Sequence, residues 1–533
     1  MPQKPTQGGS RPRQLEAVER ELFEHRFVSL AREMGEMLRR MALSTNIKER
    51  LDYSCALLDA EGRLVVNAPH IPVHLGALGL CVRSVREVVA LEEGDAVVTN
   101  HPAYGGSHLP DVTLISPVYA GAELVAFVAN RAHHAEIGGT RPGSVPPHAR
   151  RLVEEGVVIA PRHLLRRGEE RWEELAALLV APPYPSRSPE ENLADLRAAL
   201  AANLRGVERV RALCDEHGVA AVRRHMAGLR KRAAERMGAA LVRFGDRECS
   251  ARQELDDGSP IQARIVISSG RATIDLAGSA PVHPGNLNAT AAVVTSATLY
   301  VLRLLVGAVD PSPDPLPLNE GLLDPVDLRI PAGSMLSPVF PDDPALAPAL
   351  VGGNVETSQR LVDTLLSALG LAACSQGTMN NVIFGNERFG YYETVCGGAG
   401  ATPRAPGADA VHTHMTNTRI TDPELLEQRY PVRLRRFEVR RGSGGAGRHR
   451  GGDGVIRELE ALAPLQLSLL GQHRKVAPCG AAGGEPGARG AQRLVREGGG
   501  VEELEGACVA DLEPGDRLIL ETPGGGGWGR PGS

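Results

Sequence analysis

The sequence predicts a mixed α+β protein of several subdomains that ends in a large glycine-rich, strand-rich part. Three observations predict it. The chain has 533 residues, several times the usual domain length. Segments with apolar residues at spacings of three and four alternate with short apolar runs broken by glycine. Beyond about residue 350, clusters such as "YYETVCGGAGA", "RRGSGGAGRHRGGDG", "GAAGGEPGARG" and "TPGGGGWG" crowd between strand-like runs.

The elements follow in order. Residues 1–13 are polar and rich in Pro and Gly, and read as a flexible tail. Leu15, Val18, Leu22, Phe27, Leu30, Met34, Leu38 and Met41 mark an amphipathic helix reaching about Leu43. "SCALLDAEGRLVVNA" reads as a hairpin, and "ELVAFVANRAHHAEIGG" as a strand ending in a His-His pair. With them, residues 14–182 form the first part. Residues 183–250 carry two charged helical patterns, expected to form a hairpin, and residues 251–310 hold strands followed by the helix "TAAVVTSATLYVLRLLV". The Pro-rich "VDPSPDPLPLNEG" opens the last part, 311–530, in which "VETSQRLVDTLLSALG" is a helix stopped by glycine.

Composition excludes several classes. Hydrophobic residues make up 42% and charged residues 23%, which is ordinary globular composition. A net charge of −5 from 59 basic and 64 acidic residues, with only 3% aromatics, argues against nucleic acid and anionic membranes as partners. No run looks long and apolar enough to cross a bilayer. The eight cysteines form no CxxC pair, so neither a thiolate zinc site nor a disulfide framework is expected, and a reducing cytoplasm is the expected location. No glycine cluster has the GxxxxGK[ST] pattern of a phosphate loop.

Histidine carries the candidate chemistry. "NHPAYGGSHLPDVTLISPVY" places His108 and Asp111 at a Gly-Gly corner before an apolar run, and His133 and His134 end the next strand. If those strands pair, imidazole and carboxylate lone pairs meet at the strand ends. Two imidazoles and a carboxylate without thiolate suit Mn, Fe, Zn or Co with positions left open for substrate. The plainer alternative is a turn histidine at His108 and a core histidine at His133 or His134. In "DAVHTHMTNTRITDPELLEQRYP", His412 and His414 alternate along an apparent strand, with Asn417 and Arg419 further on; this is either a substrate-binding edge or a strand at an interface. Thr421 or Asp422 should cap the helix that follows.

Read together, these blocks resemble the hydantoinase B/oxoprolinase family. "HIPVHLGAL", "NHPAYGGSHLPDVTLISPV", "FVANRAHHAEIGG", "GNLNAT", "VGGNVETSQR", "GTMNNVIFG", "YYETVCGGAGA" and "DAVHTHMTNTRITDPELLEQRYPV" occur in the family's order between about residues 14 and 530. The resemblance implies a hydantoinase B-type fold and the B subunit of an ATP-dependent complex that hydrolyses a lactam, imide or hydantoin. The ATP would be bound by a separate hydantoinase A-type subunit in a hetero-oligomer. It implies a divalent metal (Mn, Zn or Fe) on His108, Asp111 and His133, with His134 the alternative for the last ligand. Glu136 and His134 are the candidates for proton transfer, and His412, His414, Asn417 and Arg419 for substrate contact. Ketone carboxylation and a non-catalytic scaffold are the alternatives. Two departures stand out: His101 where the family has aspartate, and Cys396 where it has glycine.

Overall fold

The computed structural model describes residues 13–67, 71–310, 312 and 315–532; the expected tail and part of the Pro-rich connection lie outside the described residues. A seven-stranded antiparallel sheet organises the first part, in the order β2-β1-β5-β4-β3-β6-β7. Its strands are β1 (Tyr53–Asp59), β2 (Leu64–Asn67), β3 (Ala96–Thr99), β4 (Asp111–Ala120), β5 (Glu123–His133), β6 (Arg162–Arg166) and β7 (Glu169–Glu170). Both faces are buried, and successive residues of a strand enter opposite cores. Phe127 and Ala129 of β5 join one apolar cluster, whereas Ala126 and Val128 join the other. The second cluster is closed by α1 (Arg13–Met41) and by α5 (Pro189–His217), through Phe27, Met34, Leu196 and Ala199. The expected hairpin of β1 and β2 and the N-terminal helix are both present.

Short helices α2 (Thr45–Lys48) and α4 (Trp172–Leu179) flank this sheet in sequence, and α3 (Ala77–Val88) covers its other face. α6 (Val219–Phe244) is separated from α5 only by Gly218, whose φ of 80° lets one residue turn the chain. A second sheet, β11-β10-β9-β8, comprises β8 (Arg247–Glu254), β9 (Pro260–Ser268), β10 (Arg271–Asp275) and β11 (Val326–Arg329). Along β9, Ile261, Ala263, Ile265 and Ile267 face the first cluster in strict alternation. α7 (Ala291–Val309), capped by Thr290, lies in that cluster beside α8 (Ser358–Leu369). Contrary to the sequence reading, α7 does have the length and apolarity of a membrane span; most of its apolar residues are buried in this core.

The C-terminal part stacks two further sheets around a third apolar cluster. One, β13-β12-β16-β19, contains β12 (Asn381–Gly385), β13 (Gly390–Thr394), β16 (Leu465–Leu470) and β19 (Ala507–Leu512). The other, β14-β15-β20-β17-β18, contains β14 (Val432–Arg440), β15 (Gly454–Ala461), β17 (Ala491–Val495), β18 (Val501–Glu503) and β20 (Arg517–Glu521). The glycine clusters are more than turns, because they lie against one another through main-chain hydrogen bonds. Gly525 N donates to Gly452 O, and a Cβ at Gly451 would lie 1.9 Å from Gly525 O, so the backbones approach to a distance only glycine allows.

The chain does contain a disulfide, although its cysteine spacing predicts none. Cys374 and Cys479 are bonded, with Cα atoms 5.2 Å apart although 105 residues separate them in sequence. What joins them is tertiary: Cys374 N donates to Cys479 O at 3.0 Å, a register that spacing could not reveal.

One buried carboxylate gives a test of the fold. Glu155 Oε1 accepts from Leu350 N at 2.8 Å and Val351 N at 2.9 Å, and its Oε2 has no partner. Burial pushes its carboxyl up to about 8. A folded-state value above the unfolded one means the native state binds the proton more tightly, so stability is fully present at low pH. That stability is lost as pH rises from the ordinary carboxylate range through about 8. Glu155→Gln keeps the acceptor and removes the charge, so it should unfold like wild type at acidic pH and be a few kcal/mol more stable at pH about 9. Denaturant unfolding at both pH values measures this, and identical pH dependence in the two proteins would refute it.

Candidate metal centre

The Gly-Gly corner is built as the sequence predicts, and each glycine is needed. Gly105 has φ 82°, and a Cβ there would meet Cys81 N of α3 at 2.6 Å. The corner ends at Asp111, the first residue of β4, which pairs directly across the ladder with His133, the last residue of β5. Opposite residues of an antiparallel pair project to one face, so these two side chains meet at the sheet end. His108, three residues before Asp111, is carried in by the corner. His108, Asp111 and His133 each offer a ligand atom, all within 4.8 Å of one another, and each side chain is buried.

The details fit a cation better than a hydrogen-bonded trio. His108 Nδ1 lies 3.0 Å from Asp111 Oδ2, yet Nδ1 has no hydrogen bond: the atoms are close but not aligned, as when two lone pairs converge on a third point. Asp111 Oδ1, 3.6 Å from His133 Nδ1, is likewise without a hydrogen-bond partner, as is His133 Nε2. Buried polar atoms without partners are rare, and several within one small site point to an ion that satisfies them.

A supporting layer fixes the trio. Asp111 Oδ2 accepts from Ser107 Oγ at 2.5 Å and from His74 Nε2 at 3.1 Å. Because a carboxylate only accepts, His74 presents an N–H at Nε2 to it, while its Nδ1 is hydrogen-bonded with Ser54 Oγ, 3.1 Å away. Burial opposes the ionised Asp111, but His108 and His74 outweigh it and hold the carboxyl well below its usual range. Burial lowers His133 against the opposing pull of Asp111, which keeps the imidazole neutral and able to ligate. Tyr392 stacks on the His133 ring at 4.7 Å and 11°, and its hydroxyl donates to Asn381 Oδ1 at 2.9 Å. Asn354 Nδ2 is 3.5 Å from His108 Nε2, while its Oδ1 has no partner. Turning that amide over presents Oδ1 to an Nε2–H, the acceptor required when Nδ1 binds a metal.

Several of these residues were not singled out from the sequence. Asp52 precedes β1, whose pairing with β5 brings its Oδ2 to 3.8 Å from His133 Nδ1 at the cavity wall. Asn354 lies in a π-helical turn, Gly353–Thr357, that opens the predicted helix; such turns are rare and concentrate at functional sites. His74 was visible only as part of the "HIPVH" block.

Other predicted residues lie elsewhere. His134 lies just past the end of β5 and points away from the trio, its Nδ1 3.1 Å from Asn192 Nδ2 of α5. Glu136 does not face the trio: its carboxylate accepts from Gly138 N, Gly143 N and Arg187, and organises the loop after β5. Burial raises the Glu136 carboxyl, and Arg187 and those N–H groups pull it back. His412 and His414 are not on a strand as expected, because the segment turns and His414 adopts φ 54°. His414 Nε2 is 2.9 Å from Asp363 Oδ1, His412 is half-buried and desolvation pushes its imidazole down to about 4, and Asn417 and Arg419 are exposed. Their neighbours Met415 and Thr416, instead, line the metal cavity. Asp422 caps α9 (Pro423–Arg429), one of the two candidates. His101 uses Nδ1 to accept from Ala103 N at 3.1 Å, capping the turn before the Gly-Gly corner. An aspartate could cap that turn as well, so the departure leaves the trio intact.

With this geometry in view, the comparisons are specific. The family model described as hydantoinase B/oxoprolinase matches residues 16–531. The chain is 44% identical over 540 residues to 5-oxoprolinase 1 of Arabidopsis thaliana, covering 96% of this chain but only 42% of that protein; it thus spans about two-fifths of that curated relative. An ATP-dependent caprolactamase from Pseudomonas jessenii superposes with a TM-score of 0.85 at 28% identity, over 98% of this chain and 92% of that one. An acetone carboxylase in nucleotide-free form shares the fold with a TM-score of 0.83 at 17% identity, over 97% of this chain and 76% of that one.

Proposed function

This chain belongs to the hydantoinase B/oxoprolinase family, and on that premise we propose that it is the hydrolytic portion of an ATP-dependent enzyme that opens a cyclic amide. The observation that carries the reading is the buried trio His108, Asp111 and His133, with unpartnered atoms converging at one point. The relatives named 5-oxoprolinase and caprolactamase both take their names from lactams, which supports that substrate class. The metal is Mn, Zn or Fe, as the nitrogen and oxygen donors favour. ATP is bound by an A-type portion outside this sequence, on a partner subunit in the cytoplasm.

The chain's own residues divide the work. His108, Asp111 and His133 hold the ion, Ser107 and His74 orient the Asp111 carboxylate, and the Tyr392 ring holds the plane of His133. When bound, the ion polarises a carbonyl and makes a water acidic enough to attack near neutral pH. Asp52, at the wall beside His133, is a carboxylate placed to accept a proton on the substrate side. Asn354 supplies the outer acceptor for His108.

The test is an assay of this chain purified with its A-type partner. Supplied with ATP and 5-oxoproline or caprolactam, the complex should release a ring-opened amino acid without any need for bicarbonate. A product that forms only with bicarbonate would replace this reading with ketone carboxylation, the chemistry named for a protein of the same fold.

A further inference from the structure

Arg50, between α2 and β1, is fully buried, and among the described residues it forms no ion pair. Neutral groups take its donors. Nε and Nη1 reach the carbonyls of Arg419 and Tyr392 at 3.3 and 2.6 Å, and Nη2 reaches Thr394 Oγ1 and Thr418 Oγ1 at 3.2 and 3.1 Å. Its guanidinium carbon also lies 5.1 Å from the centre of the Tyr392 ring, the ring that stacks on His133. Two of the residues it touches, Tyr392 and Thr394, line the metal cavity. A buried cation balanced only by dipoles is costly to keep, so the cavity beside it favours negative charge.

Thr394 follows Tyr392 by two residues on β13, so the two side chains leave the same face of the strand. Its Oγ1 is 2.9 Å from Thr418 Oγ1, and Thr416, also in the cavity lining, has its Oγ1 3.4 Å from that of Thr418. Arg50 sets the direction of these hydroxyls. A guanidinium only donates, so Thr394 and Thr418 turn oxygen lone pairs toward it and their protons point elsewhere. One proton closes the Thr394–Thr418 contact. When Thr418 supplies it, the O–H of Thr394 is left for the cavity, whose free volume of about 20 Å³ has room for about one water-sized group.

We propose that Thr394 is the hydrogen-bond donor to the negative oxygen formed during ring opening, and that Arg50 is the positioning residue that aims it. The proposal rests on the cyclic-amide reading above and adds a donor to the side of the cavity away from the trio's carboxylate. As water adds, its oxygen bonds to the carbonyl carbon and its proton passes to Asp52. The carbonyl π pair becomes a lone pair of an alkoxide, which the Thr394 O–H binds. Return of that pair restores the C=O bond as the C–N bond breaks, and the leaving nitrogen takes the proton from Asp52.

Fluoride, an anion the size of hydroxide, probes the donor without any substrate. Its binding to the Mn-loaded full chain is followed by solvent-proton relaxation. Wild type should bind fluoride; Thr394→Val, which keeps the shape and loses the O–H, should bind it about tenfold more weakly with unchanged Mn content, and Thr394→Ser should restore it. Arg50→Lys keeps a charge, but one ammonium cannot hold both hydroxyls and both carbonyls. It should weaken fluoride binding in the otherwise unchanged chain and add little to Thr394→Val. No binding by wild type, equal affinity in Thr394→Val, or no restoration by serine would overturn the donor, and fully additive losses would overturn the role of Arg50. In the assembled complex, Thr394→Val should lower kcat for ring opening about 100-fold with KM nearly unchanged, and an unchanged kcat would overturn its part in catalysis. If the fluoride pattern holds while wild type opens no cyclic amide, the anion donor stands and the cyclic-amide reading falls.

Discussion

Asp111→Asn should abolish metal binding and reduce ring opening by the assembled complex about a thousandfold or more, the scale set by losing several kcal/mol of charge stabilisation. The carboxylate is central because all other groups refer to it: His108 approaches one oxygen at 3.0 Å and His133 the other at 3.6 Å. Ser107 and His74 also bond to it. An asparagine of the same shape preserves packing but offers a neutral oxygen, so the fold should survive with an unchanged circular-dichroism spectrum. Ser107→Ala leaves the charge and removes one orienting bond, so its loss of metal affinity should be smaller, about 10–100-fold. Equal losses in the two variants would mean that misfolding, and not ligation, explains both.

Arg457→Met should destabilise the chain by about 3–5 kcal/mol, the usual result of stranding a buried charge. Arg457 Nε and Nη2 reach the two oxygens of Glu393 at 2.7 and 3.1 Å, and the side chains are 2% and 0% exposed. Tyr391 adds a hydroxyl bond to Glu393 at 2.9 Å, so the pair sits in a hydrogen-bonded node between the two C-terminal sheets. With the guanidinium gone, the carboxylate keeps that one donor. Glu393→Met combined with Arg457→Met removes both charges and should recover most of the loss, since apolar side chains of similar volume substitute well for a buried pair. Urea unfolding of the single and double variants measures the coupling. A double variant no more stable than the single one would show that the node matters for its shape and not for its charge.

The parts of the site that were legible in the sequence were local ones. His108 and Asp111 share a corner whose Gly-Gly marks it, and the next strand ends in histidines, so one antiparallel pairing was enough to join Asp111 and His133. Which histidine of the pair turns inward needed the register, because it is His133 that pairs with Asp111. His74 and Asp52 could not be assigned in this way. They reach the centre through the β1 pairing and the turn after β2, contacts that leave no spacing signal. The His412 and His414 alternation looked like a strand, but a main-chain turn and a left-handed residue took its place. The same limit hid the Cys374–Cys479 bond and the mutual packing of the glycine clusters, both of which depend on segments far apart in sequence. The helices and hairpins, in contrast, follow from periodicity because their faces are set by the cores they cover.

If His108, Asp111 and His133 hold a divalent ion, ring opening depends on that ion. The direct measurement is to strip metal from the assembled complex with a chelator, assay ATP-dependent ring opening, and then restore Mn, Zn or Fe in measured amounts. Activity should be lost on stripping and recover to saturation at about one ion per chain, with no recovery in the Asp111→Asn complex. Full activity in metal-free complex would contradict it.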